Sequence, residues 1–177
     1  MPRLPATFYR HSAPALAPLL LGKILCRKIG RTTLRARITE TEAYYGEDDT
    51  ACHAHKGRTK RTDIMYAKGG HAYIYLCYGI HDLLNIVSGD KGHPEAVLIR
   101  GIEGFDGPGK LTRHLRITRE LNTENLITSR RLWLEDDGTT FPYATSPRIG
   151  IPYASPRDRL RPWRFLCYTP SHGYRYC

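Results

Sequence analysis

The first 39 residues hold no acidic side chain, and beyond residue 137 Asp158 is the single acid. Of the 17 Asp and Glu that face 27 Lys and Arg, all but Asp158 therefore lie in the middle of the chain, which carries a formal +10 with basic ends. Such a balance points to a polyanionic partner, nucleic acid before a membrane surface. A solvated basic surface that serves only solubility explains the charge equally well. Cysteine is scarce and unpaired: five residues, an odd number, with no C-x-x-C. That argues against a disulfide framework or a zinc knuckle and fits a reducing compartment. Long apolar runs are missing too. The run "APALAPLLLG" is broken by Pro14 and Pro18, falls well short of the roughly 20 residues that span a bilayer, and has no small-residue cleavage site behind it. A soluble, cytoplasmic protein without membrane contact is expected. Also absent are a G-x-x-x-x-G-K-[ST] loop, a dinucleotide fingerprint and a G-x-S-x-G elbow.

The 177 residues suffice for one compact domain and show no repeat or low-complexity linker. Ser12 is placed to cap a short helix through Leu20 that Gly22 ends. "KILCRKIGRTTLRARITETEAYY" reads as two strands around Gly30–Arg31. "HAYIYLCYGIHDLLNIVSG" reads as two more with a break at Gly79, and "EAVLIRGIE" as another. "PGKLTRHLRI" opens a helix with Pro108 in its entry loop, and "SRRLWLEDDG" is a strand into a turn. "PRIGIPYA" and "PWRFLCY" read as short strands near the end. The pattern is one α+β domain, residues 1–177, with a mainly antiparallel sheet.

Three constellations invite chemistry. In "ITETEAYYG", Ile38, Glu40, Glu42 and Tyr44 share one face of an extended chain, with successive members about 6.5–7 Å apart. That spacing suits two carboxylates around a water, as in inverting glycosidases, and suits equally a solvated edge paired with nearby arginines. Arg100 in "AVLIRGI" follows Ala96 and Leu98 on one face, so it points inward, with one of the glutamates as its natural mate. In "HAYIYLCYG", Tyr73 and Tyr75 share a face, and Tyr78 precedes the break at Gly79. Strand tyrosines are ordinary core residues, but a tyrosine at a hairpin tip of a basic protein can enter a base stack. Tyr44 and Tyr75 could then sandwich a planar base. His53 and His55 beside Cys52 lack a zinc spacing, and a single hydrogen-bonding pocket histidine is the simpler reading. Lys110 in "GPGKLTR" stands at a helix start, where it could meet a phosphate.

Taken together and in order, "ITETEAYYGEDDTACHAHKGRTKRTDIMY", "GHAYIYLCYGIHDLLNIVSG", "AVLIRGIE", "GPGKLT" and "SPRIGI" resemble the alkyladenine (3-methyladenine) DNA glycosylase family, from about residue 5 to about residue 166. The chain looks like a bacterial, nucleoid-associated member. The resemblance implies a curved antiparallel sheet with a protruding β-hairpin, and a monofunctional enzyme that hydrolyses the N-glycosidic bond of an alkylated or deaminated purine flipped out of duplex DNA. It matches Glu42 to the general base. Arg100 and the Ile149 backbone carbonyl match the groups that hold the water. Tyr44, His53, Tyr75 and Asn85 match the base pocket, with Asn85 clashing with a guanine amino group, and Tyr78 matches the wedge. Arg58, Lys60, Arg61 and Lys110 are expected on the DNA backbone. No cofactor or metal is implied, and a monomer acting on double-stranded DNA is expected.

Four stretches depart from the family's pattern: Cys52, Ala67-Lys68-Gly69, His81-Asp82 and the tail from residue 167. Asp82 puts an acid near the wedge, which would weaken the grip on DNA. Two other functions fit parts of the sequence. An O-glycoside hydrolase using Glu40 and Glu42 fits the spacing but leaves the +10 charge idle. A non-catalytic nucleic-acid-binding module fits charge and tyrosines but gives Glu42 and Arg100 no task; steep salt dependence is the mark of DNA binding.

Overall fold

In the computed structural model, which describes residues 1–168, the strands form a curled, antiparallel sheet of nine, flanked by three short helices. Helix α1 (Ala13–Leu20) is followed by β1 (Ile24–Ile29), β2 (Thr32–Tyr45), β3 (Ala72–Cys77), β4 (His81–Val87), β5 (Glu95–Ile102) and β6 (Phe105–Asp106). Then come α2 (Pro108–His114), β7 (Leu132–Glu135), β8 (Tyr143–Ser146), α3 (Pro156–Leu160) and β9 (Arg164–Cys167). The main order is β3-β4-β5-β2-β1-β7, with β9 also on β2 and β8 on β9. Among the described residues no helix is long and apolar enough to cross a membrane.

Strand β2 organises the molecule. Its first half pairs with β1, and its second half pairs with β5 and β9. Residues aligned across a sheet point the same way, so the register defines two rows. Ala72, Ile86, Val97 and Ala43 lie side by side and belong to the main core. One residue along, Tyr73, Asn85, Leu98, Glu42 and Arg164 align across five strands on the opposite face. A stretch that is buried on both faces thus carries core on one side and polar chemistry on the other.

Ile38 does not share the face of Glu40 and Glu42. The β2–β5 register shifts on either side of Glu40, where Ile38 pairs with Ile102, Glu40 with Gly101 and Thr41 with Ile99. Such bulges reverse which residues face in. Ile38 and Ile102 therefore join the core together with odd-numbered Ile99 and Ala43. The alternation rule fails because two residues, Thr39 and Arg100, are left without a ladder partner.

Three smaller expectations are corrected. Ser12 occupies the N-cap of α1, but its side chain makes no cap bond. Buried Glu95 takes that part, its Oε2 accepting from the Ala13 amide at 2.6 Å. Pro108 lies inside α2 as a first-turn residue rather than in the entry loop, a place where its missing N–H is harmless. "PRIGIPYA" is a looped segment, and the strand is β8 just before it. Two prolines remove ladder donors there, and the Ile149 N–H is spent on a side chain instead. Helix α3 was not expected; Ser155 caps it by accepting from the Asp158 amide. The divergent tail opens inside β9, where Cys167 pairs with Tyr143; residues 169–177 lie outside the described residues.

A Cβ built at Gly101 would stand 3.1 Å from both the Glu40 Cβ and the Thr39 Oγ1. Gly101→Ala should therefore overpack the bulge and lower stability by about 1–3 kcal/mol. A urea titration should show a lower midpoint at unchanged slope.

Candidate active site

Beside the polar row opens a pocket of about 730 Å³ whose lining includes Tyr44, His53, Tyr75, Asn85, Arg100 and Ile149. Six residues far apart in sequence thus meet in one cavity. Glu42 lies behind them with no exposed surface. Its Oε1 accepts the Ile149 N–H at 2.8 Å, and its Oε2 accepts the Tyr44 hydroxyl at 2.8 Å. The Arg100 Nε stands 3.6 Å from Oε1. Burial pushes the Glu42 carboxyl above its ordinary value of 4.5, while Arg100, the Ile149 amide and the Tyr44 hydroxyl pull the other way. A carboxylate has about four acceptor positions, so these two bonds leave capacity for a water.

The aromatic lining is held by its own contacts. Tyr75 meets His53 edge to face at 4.5 Å and leans on Tyr73 at 5.5 Å. The His53 Nδ1 lies 2.9 Å from the Tyr73 hydroxyl. Burial, with Arg61 beside it, lowers the His53 pKa to about 4, so the ring is neutral at physiological pH. The Asn85 side-chain amide donates to the Tyr73 carbonyl at 3.2 Å, which fixes its orientation toward the pocket. At Ile149 the atom meeting the carboxylate is the amide N–H.

Tyr78 stands at the tip of the β3–β4 hairpin, 86% exposed. Both central turn residues have positive φ, +50° at Tyr78 and +72° at Gly79, and the Ile80 amide closes the turn on the Cys77 carbonyl at 3.1 Å. Left-handed backbone suits Gly79 but strains a tyrosine by about 1 kcal/mol or more.

The four basic residues divide. Lys110 is exposed on the pocket rim, and Lys60 lines a shallower groove beside it. Arg58 is exposed but pairs with Asp63 at 2.7 Å and lies over Tyr66. Arg61 belongs to the pocket: its guanidinium sits 5.1 Å from the Tyr75 ring, and its Nε donates to the Tyr73 hydroxyl. Asp82 pairs with Arg119 at 2.9 Å, which offsets its charge near the hairpin tip. Glu40 is nearly buried and tied to Arg100 and Arg164, so it lacks the freedom that the second carboxylate of an O-glycosidase needs.

Nothing in the sequence marks Arg148 and Asp49 as partners. Both side chains are fully buried and paired through two hydrogen bonds, 2.6 and 2.8 Å. Arg148 also donates to the carbonyls of Ala43 and Asp158, and its guanidinium lies 4.8 Å from the Tyr44 ring and 5.2 Å from that of Trp163. It pins the loop whose next amide reaches Glu42. A lone arginine after proline in a polar loop carries no signal of burial.

Comparison with known proteins adds the wider context. A family model described as methylpurine-DNA glycosylase matches residues 7–107 and 104–170. A protein of Methanocella arvoryzae is 43% identical over 185 residues, covering 93% of this chain and 92% of its own. One of Borrelia garinii subsp. bavariensis is 44% identical over 171 residues, 89% and 92% of the two chains. One of Psychrobacter cryohalolentis is 45% identical over 180 residues, 85% and 84%. Each bears the name "Putative 3-methyladenine DNA glycosylase".

Two stability outcomes follow from these charges. Arg148→Met strands a buried Asp49 carboxylate and should cost about 3–5 kcal/mol, much of it recovered when Asp49→Asn is added. For Glu42 the raised folded pKa means that the folded state holds its proton more tightly. Ionising it therefore removes stability as pH rises from the ordinary value through the folded one. Glu42→Gln should melt higher than the parent at pH 7, and the difference should vanish below about pH 4.

Proposed function

The chain belongs to the methylpurine-DNA glycosylase family, and on that premise we propose that it extrudes damaged purines from duplex DNA and hydrolyses their N-glycosidic bond with a water activated by Glu42. As a family member it is a DNA repair enzyme, a 3-methyladenine DNA glycosylase; the lesion class, the flipping and the water are our reading. The observation that carries this reading is a fully buried carboxylate, held by the Ile149 amide and the Tyr44 hydroxyl at the edge of an aromatic pocket that a basic protein presents beside an exposed tyrosine.

The chemistry runs as follows. The extruded purine stacks between Tyr44 and Tyr75, both of which line the cavity. Alkylated purines such as 3-methyladenine and 7-methylguanine are cationic, and aromatic faces favour them by a cation–π attraction. Hypoxanthine enters as a neutral base that lacks guanine's amino group, against which Asn85 stands. Neutral His53 offers a ring nitrogen for a hydrogen bond to the base. Glu42 takes a proton from water held with Arg100, and the Ile149 carbonyl is proposed as that water's second acceptor. A carboxylate in this place also stabilises the oxocarbenium-like sugar. No lysine lies on β2 near Glu42, and the reaction ends at an abasic site without a Schiff base.

Extrusion costs a few kcal/mol, less for a weakly paired lesion. Tyr78 offsets part of it by filling the vacated stack. Lys60 and Lys110 beside the opening, with Arg58 further out, hold the phosphates. One chain supplies every group, so we read the active form as a monomer.

Glu42→Gln should retain duplex binding and lose about 10²–10⁴ in the rate of hypoxanthine or 3-methyladenine release under single-turnover conditions; release at the parent rate would remove Glu42 from the role. The parent rate should fall as pH drops through a limb above the ordinary glutamate value, since the ionised form is the active one. Tyr78→Gly relieves the left-handed strain, so it should hold or raise the melting temperature while lowering excision from duplex more than from single strands. An equal loss on both substrates would count against a wedge.

A further inference from the structure

Arg100, the cation beside the base, is held more closely by the neighbouring carboxylate. Its Nε lies 3.1 Å from the Glu40 Oε1 and 3.6 Å from the Glu42 Oε1, the second distance being too long for a hydrogen bond. The same Glu40 oxygen accepts from the Arg164 Nε at 2.5 Å, and the Arg164 Nη1 donates to the Ser146 hydroxyl at 3.3 Å. Glu40 thus bridges an arginine of β5 and an arginine of β9, with its own side chain 4% exposed.

We propose that Glu40 is a positioning residue: it draws Arg100 away from Glu42 and shares it with Arg164, leaving the base carboxylate near a cation but not clamped by it. The inference rests on Glu42 being the base. A carboxylate locked in a close guanidinium pair is a poor proton acceptor, because its lone pairs and charge are already engaged. A carboxylate with no cation nearby, buried as Glu42 is, would hold its proton throughout the working range. The β2 bulge gives the intermediate arrangement, since the register shifts around Glu40 let Glu40 and Arg100 approach each other across the ladder.

The groups facing Glu42 are few. From β2 they are Tyr44 and Glu40, from β5 Arg100, from β9 its register partner Arg164, and from the preceding loop the Ile149 amide with Arg148 behind it. Glu40 raises the proton affinity of Glu42 and Arg100 lowers it. Glu40→Gln removes the like charge and releases Arg100 toward Glu42, and both changes act in one direction. Arg164→Gln leaves Glu40 with one counter-ion instead of two, so its charge bears more strongly on Glu42 and acts in the other direction.

The test is the acid limb of single-turnover hypoxanthine release from a duplex oligonucleotide, measured for the full chain and its variants. Glu40→Gln should move the limb to lower pH and reduce the plateau several-fold. Arg164→Gln should move it to higher pH, with the two limbs about one unit apart, a tenfold difference in proton affinity. Glu40→Asp, which keeps the charge, should return the limb toward the parent position. Limbs that stay in place, or that move in the same direction in both Gln variants, overturn the proposal, because a merely structural lesion lowers the rate without splitting the limbs. If Glu40→Gln does not fold, the upward shift in Arg164→Gln decides alone. Release that survives Glu42→Gln overturns both readings, whereas loss in Glu42→Gln with unmoved limbs overturns only this one.

Discussion

A carboxylate taken wholly out of water is the constraint around which this molecule is arranged. Burying an ionised carboxylate carries a penalty of several kcal/mol unless hydrogen bonds and cations offset it. Glu42 sits in the second half of the longest strand with no exposed surface, held by one amide, one phenol and a guanidinium slightly out of bonding range. Each of those groups is itself anchored. The amide belongs to a loop that Arg148 pins to Asp49; the phenol ring lies beside the same guanidinium; Arg100 is drawn aside by Glu40. The penalty that remains holds the carboxyl above its ordinary value, a local loss of stability that the proposed role as base would exchange for reactivity.

The fold supplies this arrangement through register. Because β2 pairs with β5 and β9 over the same residues, Glu42 is flanked by Leu98 and Arg164, and the row continues through Asn85 to Tyr73. Leu98, Glu42 and Arg164 are therefore neighbours on a hydrogen-bonded ladder, which fixes their spacing more firmly than loops would. The groups proposed to meet DNA lie at the rim: Tyr78 on its left-handed turn and Lys110 at the start of α2.

Much of this was legible in the sequence, for identifiable reasons. Strong alternation and Gly punctuation located β1 to β5, and the inward-facing Arg100 announced a carboxylate partner, which proved to be both glutamates. Local rules failed where tertiary contacts intervened. Alternation puts Ile38 on the glutamate face because it knows nothing of a bulge, and local rules give Ser12 the capping role that Glu95 performs, 82 residues beyond the Ala13 amide it accepts from. Arg61 reads as one more cation in "KGRTKR", and only the fold brings it against Tyr73 and Tyr75. Arg148 and Asp49 lie 99 residues apart, and no local pattern joins them. The roles proposed for Glu42, the pocket residues and Tyr78 come from the resemblance to a family. Strand spacing had left a solvated edge and a two-carboxylate site both open.

On the reading proposed above, burial and partial pairing leave Glu42 more basic than an ordinary glutamate, and its ionisation sets the rate. The direct measurement is a carbon-13 carboxyl NMR titration of Glu42, assigned through Glu42→Gln, in the buffer used for single-turnover hypoxanthine release. The expected result is a Glu42 midpoint above 4.5 that coincides with the acid limb of the rate. A midpoint at or below that value, or a limb that does not follow the Glu42 titration, would contradict it.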